Sequence, residues 1–129
     1  MALDPTALPA EALAFLAERH LATLSTLRAD GSPHVVPVGF GYDPAERLVR
    51  IITFDPSAKV ANARRGGRAV VCQIDGPRWL SLEGTVSVTD DPDRVAAAVA
   101  AYAARYRRPG ERDNRVAIEI AVDRVLGRG

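Results

Sequence analysis

The sequence predicts a mainly β protein with interspersed helices, whose six strands pair in a mostly antiparallel order and curve into a small closed or partly closed barrel. Three observations point there. Six segments carry the alternation or β-branched richness of strands, separated by turn chemistry. One of them, residues 78–90, is long and has Gly84 at a bend or bulge, so the sheet must curve. A helical stretch also falls between the third and fourth strands and forces a non-hairpin connection there. An open sandwich is the competing arrangement.

Taken in order, residues 9–19 form a short helix, with Pro9 in the first turn and Leu13, Leu16 and Ala17 on one apolar face, read as a lid. Residues 20–28 alternate and make a strand with two usable faces. Ala29-Asp30-Gly31-Ser32-Pro33 supplies hairpin chemistry, because Asp-Gly tolerates positive φ. A second strand follows from His34 to about Tyr42, a turn at Asp43-Pro44, and a third strand at 48–54, giving a three-stranded meander.

A second helix is predicted over 57–65, capped by Ser57, with Val60 and Ala61 facing inward and Gly66-Gly67 ending it. The fourth strand, 69–75, turns at Gly76-Pro77 into the long fifth. A third helix spans 91–108, acidic at its start and arginine-rich at its end as the helix dipole favours, until Pro109-Gly110 stops it. Residues 116–126 form the sixth strand. No internal repeat is visible.

The 129 residues, 47% hydrophobic and 26% charged, fit a single domain over 1–129. A domain of this size gives up core to make room for a large ligand, a conflict that dimerisation eases. A net charge of +1 and few aromatics argue against nucleic-acid binding. The lone cysteine, Cys72, lies in an apolar strand and reads as a small buried hydrophobe. Neither a leader-like segment nor a membrane-length apolar run is present, so a cytoplasmic protein is expected.

Lys59 is the one lysine among seventeen basic residues. With Ser57 it opens a helix after a strand, where free N–H groups favour phosphate. Arg50 on the preceding strand and Arg64 further along the helix add cations. On this local pattern alone a simple serine cap with solvated charges is the favoured reading, since Ser-capped basic helices are common. Trp79 is either core filler or an aromatic wall. His20 and His34 lack a third ligand at metal spacing, so no metal site is expected. No nucleophile elbow, GxGxxG or Walker sequence occurs, and no catalytic side chain stands out.

In order, LAFLAERHLATLSTLRADGSPHVVPVGF, the Ser57-Ala58-Lys59 corner with Asn62 and Arg64, and GPRWLSLEG resemble the flavin and deazaflavin oxidoreductases related to pyridoxamine phosphate oxidase. The resemblance runs from about Leu8 to Gly127. Within them the chain is most similar to the actinobacterial branch that uses the deazaflavin F420, the biliverdin reductase subgroup in particular. The resemblance implies a split β-barrel homodimer with cofactor sites along the interface. Ser57 and Lys59 would bind the cofactor phosphate, Pro37 and Val38 would lie beside the tricyclic ring, Thr53 would approach the ribityl chain, and Trp79 would come from the other subunit. Arg50, Arg64 and Arg78 would pair with the phosphate and oligoglutamate tail or with substrate propionates.

The implied activity is hydride transfer from reduced F420 to a conjugated substrate such as biliverdin, with no general acid named. An FMN-dependent oxidoreductase on the same fold, and a non-catalytic carrier of cofactor or tetrapyrrole, are the alternatives. The chain departs from pyridoxamine phosphate oxidase proper in ending at VLGRG without that enzyme's tryptophan and arginine substrate motif.

Overall fold

The computed structural model describes residues Met1–Gly129. Its elements are β1 (Ala2–Leu3), α1 (Ala10–Ala17), β2 (Ala22–Leu27), β3 (Pro33–Val38), β4 (Gly41–Asp43) and β5 (Leu48–Phe54). Then come α2 (Ala58–Arg64), β6 (Arg68–Asp75), β7 (Arg78–Thr89), α3 (Pro92–Arg105) and β8 (Arg115–Arg128). All ladders are antiparallel, in the order β3-β2-β6-β7-β8-β5-β4, with β1 added to β8. No helix is long and apolar enough to cross a membrane.

There are eight strands rather than six, and the difference creates the cleft described below. The predicted second strand breaks at Gly39-Phe40. Its first half, β3, pairs with β2, while its second half, β4, pairs with β5. The expected three-stranded meander therefore does not form. Val38 and Gly41 belong to opposite ends of the sheet yet are three residues apart, a span of roughly 10 Å at most. The sheet must curl until its ends face one another, and no ladder joins β3 to β5. The result is a barrel with a split.

The curl runs through β7, which pairs with β6 on one side and β8 on the other. Its register against β8 shifts between Glu83 and Gly84, and a Cβ at Gly84 would stand 1.8 Å from the Ala121 carbonyl oxygen. Only glycine lets the two backbones approach this closely, so the bulge predicted at Gly84 is fixed by sterics.

Inside, Leu24, Ile51, Val71, Leu80, Leu82, Ile118 and Ile120 are fully buried. The N-terminal helix is not a lid: Ala12, Phe15 and Leu16 of α1 are in the core. A buried phenylalanine stabilises by about 2 to 3 kcal/mol, and Phe15 is fully covered. On α2 the inward residues are Val60, Asn62 and Ala63, whereas Ala61 faces solvent, because a short helix presents i and i+3 to the same side. Asn62 Nδ2 donates to the buried Thr26 Oγ1 at 3.2 Å, tying α2 to β2.

Helix α3 is placed by two anchors. Near its start, Arg94 grips Glu119, which is only 6% exposed, through bonds of 2.8 to 3.1 Å. At its end, Arg105 stacks on Phe40, with Cζ 4.7 Å from the ring centroid. It donates to the carbonyls of Glu18 and Phe40, both at 2.7 Å, and to Gln73 Oε1. Tyr106 Oη donates to the His20 carbonyl at 2.6 Å and accepts from the Phe40 amide at 3.1 Å. Gly39 admits this contact, since a Cβ there would meet the Tyr102 and Tyr106 rings at 3.0 Å. The helix ends at Arg105, short of the predicted Arg108, because Tyr106 turns into this clamp.

At the same C-terminal end of α1, Arg78 Nη1 and Nη2 bond the Glu18 carboxylate at 2.8 and 2.9 Å and also reach Asp75, while the guanidinium lies 4.4 Å from the Phe15 centroid. Arg78 first, then His20, hold the Glu18 carboxyl down to about 2 from its ordinary 4.5. A carboxyl depressed on folding contributes stability above its unfolded pKa, and that contribution disappears as pH falls from about 4.5 towards 2. Glu18→Gln should therefore narrow the stability difference between wild type and variant across that window, as read by urea unfolding at pH 6, 4 and 2.5. Arg105→Met, which strands three acceptors, should cost about 3 kcal/mol in the same assay at neutral pH.

Candidate functional site

The split opens into a cleft of about 390 Å³. One wall is Pro37, Val38 and Gly39, at the end of β3 and the start of the crossover; the other is Ile52, Thr53 and Phe54, at the end of β5. Lys59 of α2 and Tyr102 of α3 also line it, as do Arg107, Pro109, Gly110, Arg112 and Arg115 from the strap after α3 and the start of β8. Strand ends meet here because β3 and β5 are unpaired neighbours across the split. Their side chains face a space that a continuous ladder would have filled.

Two features mark the cleft as a place for a ligand. Thr53 is 7% exposed, and its Oγ1 is buried without a hydrogen-bond partner. A buried hydroxyl left unmet costs roughly 1 to 3 kcal/mol, which an incoming polar group removes. The second feature is charge. No carboxylate lines the cleft, and none of Lys59, Arg107, Arg112 and Arg115 forms an ion pair. Lys59 Nζ lies 5.4 Å and Arg112 Cζ 4.4 Å from the centroid of the same Phe54 ring, so two cations converge on one half-exposed aromatic.

Of the residues singled out from sequence, Pro37, Val38, Thr53 and Lys59 come together on the cleft. Ser57 stands at the start of α2, where its Oγ accepts from the Val60 amide at 3.3 Å and acts as the helix cap. The other four stand elsewhere. Arg50 holds the β4–β5 turn through Asp43 at 3.0 Å and Glu46 at 2.7 Å, and this contact lowers the Asp43 pKa. Arg64 pairs with Asp55 at 2.8 Å. Arg78 seals α1 as described. Trp79 lies on β7 opposite Ile74 of β6, both outside the cleft and well exposed.

His20 lies with Glu18 and Asp75 around the Arg78 guanidinium, which already occupies both carboxylates. Burial pushes the Cys72 thiol pKa upward, as suits an inert strand residue. Sequence reasoning missed Tyr102, Arg107, Arg112 and Arg115. The run RRPGERDNR is the signal that points to them, since it packs arginines around a Pro-Gly turn.

A family model described as pyridoxamine 5'-phosphate oxidase matches residues 8–129. The chain belongs to the pyridoxamine 5'-phosphate oxidase family. Within its relatives, the F420H(2)-dependent biliverdin reductase of Mycobacterium tuberculosis (strain CDC 1551 / Oshkosh) is 56% identical over 122 residues, covering 95% of this chain and 89% of that protein. Among solved structures, the conserved hypothetical protein Rv2991 of Mycobacterium tuberculosis superposes with a TM-score of 0.80 at 23% identity, covering 94% of this chain and 84% of that one. A structure described as an F420 reductase gives 0.75 at 23% identity, with coverages of 92% and 98%. These two likenesses show the same overall fold.

Replacing Thr53 by Val keeps the shape and removes the unmet hydroxyl. The ligand-free protein should then gain about 1 kcal/mol of stability in urea unfolding, whereas a threonine with a purely structural role would lose stability on the same change.

Proposed function

We propose that the protein is an F420-dependent reductase that delivers a hydride to a conjugated acceptor, with biliverdin the first acceptor to test. The observation that carries this reading is the 56% identity, over nearly the whole of both chains, to an F420H(2)-dependent biliverdin reductase. The cleft is consistent with it. F420, when bound, supplies the hydride chemistry that no side chain here offers.

The remaining work falls to the chain itself. Pro37 and Val38 form an apolar wall for a planar ring, and Pro37 has no backbone N–H to hydrate. Thr53 Oγ1 meets a ligand hydroxyl or carbonyl, relieving its own isolation. Lys59 faces the phosphate, with Ser57 shaping the α2 turn that carries it. Holding both reactants in one geometry is the main catalytic contribution open to such a site. Arg50, Arg64 and Arg78 are spent on carboxylates of this chain, so their proposed part in anion binding passes to the strap arginines.

A homodimer belongs to the proposal. Leu27, Val35, Ile74 and Trp79 leave apolar surface exposed on the β3-β2-β6-β7 side of the sheet, an arrangement suited to a second copy. Trp79 is then the residue offered to the partner's cleft. The proposed compartment is the cytoplasm, in keeping with one unpaired cysteine.

Titration of the purified protein with F420 and with FMN, followed by oxidation of reduced F420 in the presence of biliverdin, tests the reading. Tighter binding of F420 and biliverdin-dependent oxidation are expected; preference for FMN, or F420 binding without turnover, overturns it. Lys59→Ala should weaken F420 binding by about 1.5 to 3 kcal/mol, as loss of a charge-assisted contact does.

A further inference from the structure

A conjugated acceptor reduced in the cleft needs a proton as well as a hydride. The carbon that takes the hydride pushes an electron pair through the π system onto a conjugated nitrogen, and that nitrogen must form an N–H bond to end neutral. The cleft holds no His, Cys, Asp or Glu. The only lining side chains with an exchangeable proton are Thr53, Lys59, Tyr102, Arg107, Arg112 and Arg115. A guanidinium does not release its proton, and an alcohol does so far less readily than a phenol. With Lys59 facing the phosphate, Tyr102 remains.

Tyr102 is fixed at its ring and free at its hydroxyl. A Cβ at Gly39 would stand 3.0 Å from Tyr102 Cε2, so the ring packs on bare crossover backbone directly after Pro37 and Val38. The Tyr106 ring lies 4.9 Å away between centroids, tilted by 38°. Tyr106 itself is spent: its Oη bonds the His20 carbonyl and the Phe40 amide, burial pushes its pKa up, and it does not line the cleft. No hydrogen bond within the chain engages Tyr102 Oη, in contrast to its neighbour. Tyr102 also lines a second groove of about 410 Å³ with Arg19, Leu21, Tyr106 and Arg107. That groove is open to solvent at Leu21, which is 66% exposed. One half-buried phenol thus borders both the ligand cleft and a source of water.

We propose that Tyr102 is the proton donor of the reduction. This rests on the reading of the cleft as a hydride-transfer site. A C–H bond forms where the acceptor carbon takes the hydride, and the displaced electron pair takes the Tyr102 proton, so the phenol O–H bond breaks as an N–H bond forms. The acceptor is reduced by two electrons and the cofactor oxidised by two. Water in the groove beside Leu21 returns a proton to the phenolate.

Tyr102→Phe tests this, because it keeps the ring against Gly39 and Tyr106 and removes only the hydroxyl. The Tm and the affinity for F420 should match wild type. With reduced F420 saturating and biliverdin as acceptor, kcat should fall about 100-fold, as on loss of a general acid, while KM for biliverdin changes far less. Without cofactor, biliverdin bound to wild type and to the variant should differ in visible absorption, since only the wild-type hydroxyl meets the pyrrolic nitrogen. An unchanged kcat, identical spectra of bound biliverdin, or a fall in kcat matched by an equal loss of F420 affinity overturns the assignment. A wild type that turns over only with reduced FMN overturns the F420 reading instead, and a loss of about 100-fold in Tyr102→Phe with FMN then leaves the donor standing. A wild type that turns over with neither cofactor overturns both.

Discussion

Arg105 sits where three parts of the chain must be held together. Its guanidinium bonds the end of α1 through Glu18, the crossover through Phe40 and the interior of β6 through Gln73; Tyr106 doubles the Phe40 link and adds one to His20. Burial pulls the Arg105 pKa below its ordinary value and raises that of Tyr106, so both groups are in a setting where a hydrogen bond left unmade is expensive. Gln73 is fully buried and also donates to the Phe15 carbonyl at 2.8 Å, which ties the polar cluster to the buried face of α1. A satisfied polar network of this kind fixes one arrangement of its members.

That arrangement determines the cleft. The crossover at Gly39-Phe40 carries the chain from one end of the sheet to the other, and its position sets how far β3 stands from β5. Were the crossover free to move, β3 could approach β5 and the ends of both strands would compete to pair across the gap. Phe40 is held under Arg105 by a hydrogen bond and a stacking contact, which fixes the crossover. Tyr102, one turn before the clamp, and the strap directly after it are delivered to the cleft by the same helix end. Structure and site are thus coupled through one half-buried arginine.

Much of this was legible in the sequence where the controlling forces are local. Alternation located the strands, Asp-Gly and Gly-Pro located turns, and Gly84 marked the bulge because a glycine inside a long strand has few other uses. Lys59 was singled out by its place at a capped helix start, Thr53, Pro37 and Val38 only through the resemblance, and the fold brings all four to one cleft. The break at Gly39-Phe40 was invisible to periodicity, since the strand pattern continues on both sides and only the choice of partner changes. The packing of Ala12, Phe15 and Leu16 of α1 into the main core was hidden for a similar reason: an apolar face does not say what it packs against.

The arginines show the limit most clearly. Arg50, Arg64 and Arg78 look no different in sequence from Arg107, Arg112 and Arg115, yet the first three meet Asp43, Asp55 and Glu18 in the fold and the last three meet no carboxylate. Which cation remains free is decided by long-range packing. The claim that rests on all of this is that the β3–β5 split holds F420, and a crystal structure of the complex tests it most directly. The account predicts the deazaflavin ring against Pro37 and Val38, a hydrogen bond to Thr53 Oγ1, and the phosphate at Lys59. A cofactor bound elsewhere, with Thr53 Oγ1 still unpartnered, would contradict it.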